Sequence, residues 1–214
     1  MTVDLSVYLV TDSAGAERAG HDLFDVLRAA VPGVSAVQLR EKDATARRFL
    51  DTVLHCSAVV PRDVAIIVND RVDVFLAARA AGARVSGVHV GQSDLPADAV
   101  RGLIGPDAIL GVSASTPREL ALAAESGAVD YVGIGALHAT STKTDAPRPL
   151  GHAEFARLVA LSPLPAVAIG GVTAADLPAL RRAGAAGAAV ASAVCAAADP
   201  GRAVRELRAA WDAS

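Results

Sequence analysis

The sequence predicts an α/β protein built as a single (β/α)8 TIM barrel over residues 1–214, and three observations carry that expectation. Short runs rich in Val, Ile, Leu and Ala alternate with longer helical patterns, and the alternation repeats eight times. The runs are near-continuously apolar, which suits parallel strands covered by helices rather than half-solvated antiparallel ones. No G-x-G-x-x-G follows the first run, so a closed barrel fits better than an open doubly wound sheet.

The strands are expected, in order, at Val7 to Val10, Ala36 to Leu39, Ala65 to Val68, Gly87 to Val90, Ile109 to Val112, Tyr131 to Ile134, Ala166 to Ile169 and Ala188 to Ala191. Helical patterns lie between them at Gly20 to Ala30, Ala44 to Val59, Val72 to Ala81, Arg118 to Ser126, Ala153 to Leu161, Ala174 to Ala183 and Ala203 to Trp211. Thr116 followed by Pro117 reads as an N-cap with its first-turn proline, and Gly184 after Arg181 and Arg182 as a helix stop. The longest irregular connection, Gly135 to Gly151, follows strand 6, which in a barrel places it at the active-site face. Phe24, Phe49, Phe75 and Phe155 fall in helices and read as helix-to-barrel packing.

Composition narrows the function classes. The chain has 214 residues, 52% hydrophobic and 20% charged, so it is expected to fold as one domain without metal or disulfide staples. Its net charge of -3 lacks the broad basic field that nucleic-acid binding needs. The longest charge-free run, Ala183 to Ala198, is mostly alanine and too short for a membrane span. The N-terminus has neither the basic start nor the cleavage site of a secretory signal, so a cytoplasmic location is expected, without membrane or nucleic-acid partners. Cys56 and Cys195 have no metal or redox spacing and read as free, buried thiols.

Basic residues are 18 Arg and only 2 Lys, with one Asn and two Gln. All five rare residues (Gln38, Lys42, Asn69, Gln92 and Lys143) fall just after or at the ends of strands 2, 3, 4 and 6, where a barrel keeps its chemistry. Strand alternation puts Gln38, Arg40 and Lys42 on one face, toward the barrel mouth. Asp70 and Asp94 top adjacent strands, and two such carboxylates suit Mg2+ with water and phosphate completing the shell. Read singly, Asp70 is equally a helix cap and Asp94 a turn former. With Arg40, Lys42 and Lys143 nearby, the set looks like a site for a polyanion held through a metal.

Gly170-Gly171 and Ala191-Ser192, after strands 7 and 8, let backbone N–H groups approach an anion, which points to a second, singly phosphorylated ligand. Ser113 follows strand 5 without a G-x-S-x-G elbow and reads as a binding hydroxyl. His89 is as readily a packed barrel histidine as a ligand contact, while His21, His55 and His152 read as helix-surface or capping residues.

The ordered set YLVTD (Tyr8 to Asp12), QLREK (Gln38 to Lys42), ND (Asn69, Asp70), GVHVGQSDLP (Gly87 to Pro96), GVSAST (Gly111 to Thr116), YVGIGALHATSTK (Tyr131 to Lys143) and AIGGV (Ala168 to Val172) resembles the thiamine phosphate synthase family across nearly the whole chain. The resemblance implies a transferase that joins a pyrophosphorylated aminopyrimidine to a thiazole phosphate and releases pyrophosphate. It implies that Gln38, Arg40, Glu41, Lys42, Asn69, Ser113 and Lys143 bind the pyrimidine pyrophosphate, with Arg40, Lys42, Lys143 and Ser113 as the catalytic set. Asp70 and Asp94 would then hold Mg2+, and Thr140, Thr142, Gly171, Ala191 and Ser192 the thiazole phosphate. The chain departs from the family pattern at Ala136 and Ala139, where prolines are usual, and between Asp70 and Asp94, which stand a few residues further apart than usual. The alternatives are a thiazole tautomerase of the same fold and a non-catalytic sensor of a phosphorylated metabolite. The expected partners are two small phosphorylated substrates, and homo-oligomer formation is left open.

Overall fold

The computed structural model describes residues 3–140 and 148–213. Eight parallel strands close into a barrel in sequence order, each hydrogen-bonded to the next and β8 back to β1. They are β1 (Leu5–Val10), β2 (Ala36–Leu39), β3 (Ala65–Asn69), β4 (Gly87–Val90), β5 (Ile109–Ser113), β6 (Tyr131–Gly135), β7 (Ala166–Ile169) and β8 (Gly187–Val190). Around them lie α1 (Ser13–Arg18), α2 (Leu23–Ala30), α3 (Ala46–Val59), α4 (Val72–Ala80), α5 (Ala97–Ile104), α6 (Pro117–Glu125), α7 (Gly151–Leu161), α8 (Leu177–Arg182), α9 (Ser192–Cys195) and α10 (Pro200–Asp212).

Most boundaries lie within a few residues of the expected ones. β1 starts earlier, at Leu5, with a register irregularity between Leu5 and Val7. β8 runs Gly187–Val190 rather than Ala188 to Ala191. The helix expected from Gly20 begins at Leu23, where Asp22 caps it by accepting the Phe24 N–H at 2.8 Å. The helix expected from Ala174 begins at Leu177, because Asp176 closes a turn with Thr173 before the helix can start. α6 has the full capping box: Thr116 accepts from the Glu119 amide, and Glu119 accepts from the Thr116 amide.

Strand alternation divides the core in two. Outward residues such as Val7, Leu9, Val37, Leu39, Val88 and Leu110 pack under the helices, together with Phe49, Phe75 and Phe155. Phe24 lies at the edge of this layer, its ring 4.1 Å from that of His55. Inward residues Leu5, Tyr8, Val10, Ala36, Ile67, Tyr131, Val167 and Ala189 fill the barrel. Two tyrosines fit inside because their neighbours are small: a Cβ on Gly111 would fall within the Tyr131 ring. This is the layered filling of a barrel, with bulk on one strand matched by its absence on the next.

The bottom of the barrel is held by arginine. Arg101 donates to the carbonyls of Gly105 (2.9 Å), Ala108 (2.5 Å) and Ala128 (2.7 Å) and pairs with Asp130 at 2.7 Å. Arg84 does the same for Ser57 and Val60. The planar guanidinium carries five N–H donors in a fixed fork, enough to satisfy several loop carbonyls at once. Lys42 stands at the other end, on the β2–α3 connection.

Candidate active site

A chain of hydrogen bonds crosses the barrel interior below its mouth. Gln38 Nε2 donates to Tyr8 Oη at 2.9 Å, Tyr8 Oη meets Tyr131 Oη at 2.9 Å, and Tyr131 Oη meets His89 Nδ1 at 3.0 Å. His89 Nε2 then meets Ser113 Oγ at 3.0 Å. Burial pushes both phenols above their ordinary pKa, so they stay neutral and each carries one proton. Each phenol thus keeps its proton for this chain, which runs from Gln38 through Tyr8, Tyr131 and His89 to Ser113 and holds the Ser113 hydroxyl in place at the end of β5. Gln92 Nε2, donating to the Ser113 carbonyl at 2.6 Å, fixes the same residue from above.

Gln38 itself is only 3% exposed and is tied to Tyr8, so it forms the floor of the mouth rather than a mobile arm. Of the two readings open for His89, the structure gives the packed one. His89 nevertheless reaches the site through Ser113.

At the top of β3 and β4, Asp70 and Asp94 are brought side by side. Burial, the charge of Asp94 and a hydrogen bond between the two carboxyls raise the Asp70 pKa to about 6, against the weaker pull of Asn69 and Arg40. That same balance places Asn69 and Arg40 beside Asp70. Asp70 is also the one non-glycine among the described residues with positive φ, at 60°. This left-handed backbone suits Asp or Asn better than other side chains. It does not cap α4, whose N-cap is Arg71 with no side-chain bond, so the capping reading of Asp70 fails. Asp94 does form a turn, accepting the Gly91 amide at 2.7 Å, while its carboxylate still abuts Asp70. Two carboxylates held together against their own repulsion, with hard oxygen donors only, fit a divalent cation such as Mg2+.

Glu41 accepts a hydrogen bond from Ser13, at the start of α1. Lys42 is exposed on the β2–α3 connection. Thr142 and Lys143 lie outside the described residues, and Thr140 is the last residue before that gap. Gly170 and Gly171 have φ of 91° and 69°, and a Cβ on Gly171 would meet His138 Cβ at 2.8 Å and the Ala139 carbonyl at 3.0 Å. Both glycines are therefore needed for the β6–α7 connection to lie against the end of β7, where Leu137 and His138 amides pair with the Ile169 and Gly170 carbonyls. Ala191 and Ser192 follow β8 at the next position round the rim and open α9. Cys56 and Cys195 are free and buried, their thiols pushed up by burial to about 12 and about 11.

A model of the thiamine monophosphate synthase family matches residues 7–194. The chain belongs to the thiamine monophosphate synthase family. It is 44% identical over 207 residues to a thiamine-phosphate synthase of Azorhizobium caulinodans, covering 96% of this chain and 94% of that protein. A thiamine-phosphate synthase of Xanthobacter autotrophicus is 45% identical over 210 residues, covering 97% and 95%. The solved thiamine phosphate pyrophosphorylase from Pyrococcus furiosus superposes with a TM-score of 0.83 at 30% identity, covering 99% of this chain and 97% of that one. Family membership makes this chain an enzyme of the transferase class acting in thiamine biosynthesis. A 3-hexulose-6-phosphate synthase from Salmonella typhimurium shares the fold alone, at 14% identity and a TM-score of 0.73 over 98% of this chain and 99% of that one. No helix among the described residues is long and apolar enough to cross a membrane.

Proposed function

We propose that this enzyme condenses 4-amino-2-methyl-5-(diphosphooxymethyl)pyrimidine with a thiazole phosphate to give thiamine phosphate and pyrophosphate, with Mg2+ at Asp70 and Asp94. The observation that carries this reading is the pairing of those two acids beside Arg40 and Asn69, above a buried hydrogen-bonded chain that ends on the Ser113 hydroxyl. A tautomerase of the same fold needs no such set of acids and cations.

Gln38, Asn69 and Ser113 bind and orient the aminopyrimidine, while Arg40, Lys42 and Lys143 hold its pyrophosphate. Glu41 steadies the β2–α3 connection through Ser13 and so positions its two neighbours. The C–O bond to pyrophosphate breaks with its electron pair leaving on oxygen, and the electron-rich ring supports the positive charge left on the exocyclic carbon. The thiazole nitrogen then forms the C–N bond. No protein nucleophile is required, and the work of the protein is stabilising the leaving group and positioning. When bound, Mg2+ would supply charge neutralisation for the departing pyrophosphate. Thr140, Thr142 and the backbone at Gly171, Ala191 and Ser192 hold the thiazole phosphate, placing its ring toward the pyrimidine.

Incubating the protein with both substrates, with and without Mg2+, tests the reading. Thiamine phosphate formed only with Mg2+ supports it. Isomerisation of the thiazole alone would establish the tautomerase, and binding without product would establish a sensor.

A further inference from the structure

Away from the paired acids, three side chains from separate segments converge on one point of the rim. His138 comes from the β6–α7 connection, His152 from the first turn of α7, and Asp176 from the turn before α8. His138 Nε2 lies 2.8 Å and His152 Nε2 3.0 Å from the same oxygen, Asp176 Oδ1. All three donor atoms lie within 4.8 Å of one another, and theirs is the one such cluster of His, Cys, Asp or Glu among the described residues.

The cluster is built rather than accidental. Asp176 Oδ2 is fully committed to its own turn, accepting the Thr173 amide at 2.8 Å and hydroxyl at 2.9 Å. This fixes the carboxylate so that Oδ1 faces the two imidazoles. Burial opposes the Asp176 charge, but the hydrogen bonds from His138 and Thr173 outweigh it and hold the carboxyl below its usual pKa. The side chain of Asp176 is 9% exposed, whereas those of His138 and His152 are 40% and 45% exposed, their rings meeting edge to face at 5.4 Å. A buried anion forms the floor and two half-exposed nitrogen donors form the walls.

We propose that His138 Nε2, His152 Nε2 and Asp176 Oδ1 bind one divalent transition-metal ion of the zinc class, with the open side completed by water. Bond lengths of about 2.0–2.2 Å place tetrahedral ligand atoms roughly 3.3 Å apart, so the two nitrogen–oxygen separations are already close and a small rotation of the exposed imidazoles completes the set. On binding, each ring carries its proton at Nδ1 instead of Nε2. Two imidazoles and one carboxylate select zinc, cobalt or nickel over magnesium, which prefers oxygen donors throughout. The site is thereby chemically distinct from Asp70 and Asp94. It also ties His138, two residues before Thr140, and the first turn of α7 to the β7–α8 turn, so an ion here braces both described ends of the β6–α7 connection.

The test is a titration of tag-free, metal-stripped protein with Co2+ in excess Mg2+, read by visible absorption. The expected result is one Co2+ per chain with the band of a four- or five-coordinate nitrogen-ligated ion, displaced by Zn2+. His138→Ala and His152→Ala should each weaken binding by more than about 100-fold while melting like the parent in the absence of metal. Zn2+ should raise the melting temperature of the parent and of neither variant. Asp70→Asn should retain the cobalt band, which separates this site from the paired acids whether or not the proposed condensation holds. No band, a band that survives both histidine variants, or a band lost with Asp70→Asn would overturn the assignment.

Discussion

Replacing Asp70 by Asn separates the proposed metal role of the paired acids from any structural one. The change is nearly isosteric and keeps a side chain suited to the left-handed backbone at φ 60°, so it adds no strain. What it removes is a charge pressed against Asp94. The Asp70 pKa stands at about 6 against an ordinary 3.8, a difference that corresponds to at most about 3 kcal/mol of unfavourable interaction when the group is ionised. Asp70 reaches solvent at the rim, where screening leaves roughly 1 kcal/mol of that. The folded protein binds the proton more tightly than the unfolded chain, so the penalty is absent below about pH 4, grows as pH rises and is complete above about pH 6. Metal-free Asp70→Asn should therefore melt about 2–4 °C above the parent at pH 7.5 and level with it at pH 4. In Mg2+ the same variant should lose at least about 100-fold in kcat/KM, since one of the two charges attracting the cation is gone. Thermal melting across pH and Mg2+-dependent product formation check both halves. A variant that is less stable at pH 7.5, or active with an unchanged Mg2+ requirement, would refute the reasoning.

Three further outcomes are expected. Lys143→Ala should lower turnover more than it weakens thiazole phosphate binding, because the ammonium proposed to pair with the departing pyrophosphate would act mainly in the transition state; equal turnover at saturating substrates would remove Lys143 from the site. His89→Phe should deprive the Tyr131 and Ser113 hydroxyls of their shared hydrogen-bond partner, destabilising by about 1–3 kcal/mol and raising the KM for the pyrimidine, as denaturant melts and steady-state kinetics would show. Gly111→Ala should prevent the barrel from closing around Tyr131 and abolish soluble folded protein, whereas the double change with Tyr131→Ala should recover part of it, measured by circular dichroism.

The strands were legible because each outward face is apolar and each run is bounded by polar or glycine residues, as at Gln38-Leu39-Arg40 and Val68-Asn69-Asp70. Leu5 was not, since Ser6 and Asp4 interrupt the pattern; Ser6 is accommodated by a hydrogen bond from Arg208 at 2.8 Å, a contact across most of the chain. The helix α5 was missed because Ala97–Ile104 carries Gly102 and has only two buried residues, Val100 and Ile104. Of the site, Asp70 and Asp94 could be read because each follows closely on an apolar strand run, and Gln38 and Asn69 because rare residue types mark the ends of β2 and β3. The buried chain from Gln38 to Ser113 could not, because Tyr8 and Tyr131 are both ordinary strand residues until barrel closure brings their hydroxyls together. His138, His152 and Asp176 follow no metal-ligand spacing and meet only through the packing of the β6–α7 and β7–α8 connections.

The most direct measurement is a single turnover with the pyrimidine pyrophosphate labelled with 18O at its bridging oxygen, together with the thiazole phosphate and Mg2+. The account predicts thiamine phosphate, with all of the label in the released pyrophosphate. No thiamine phosphate, or label retained in a hydroxymethylpyrimidine, would contradict it.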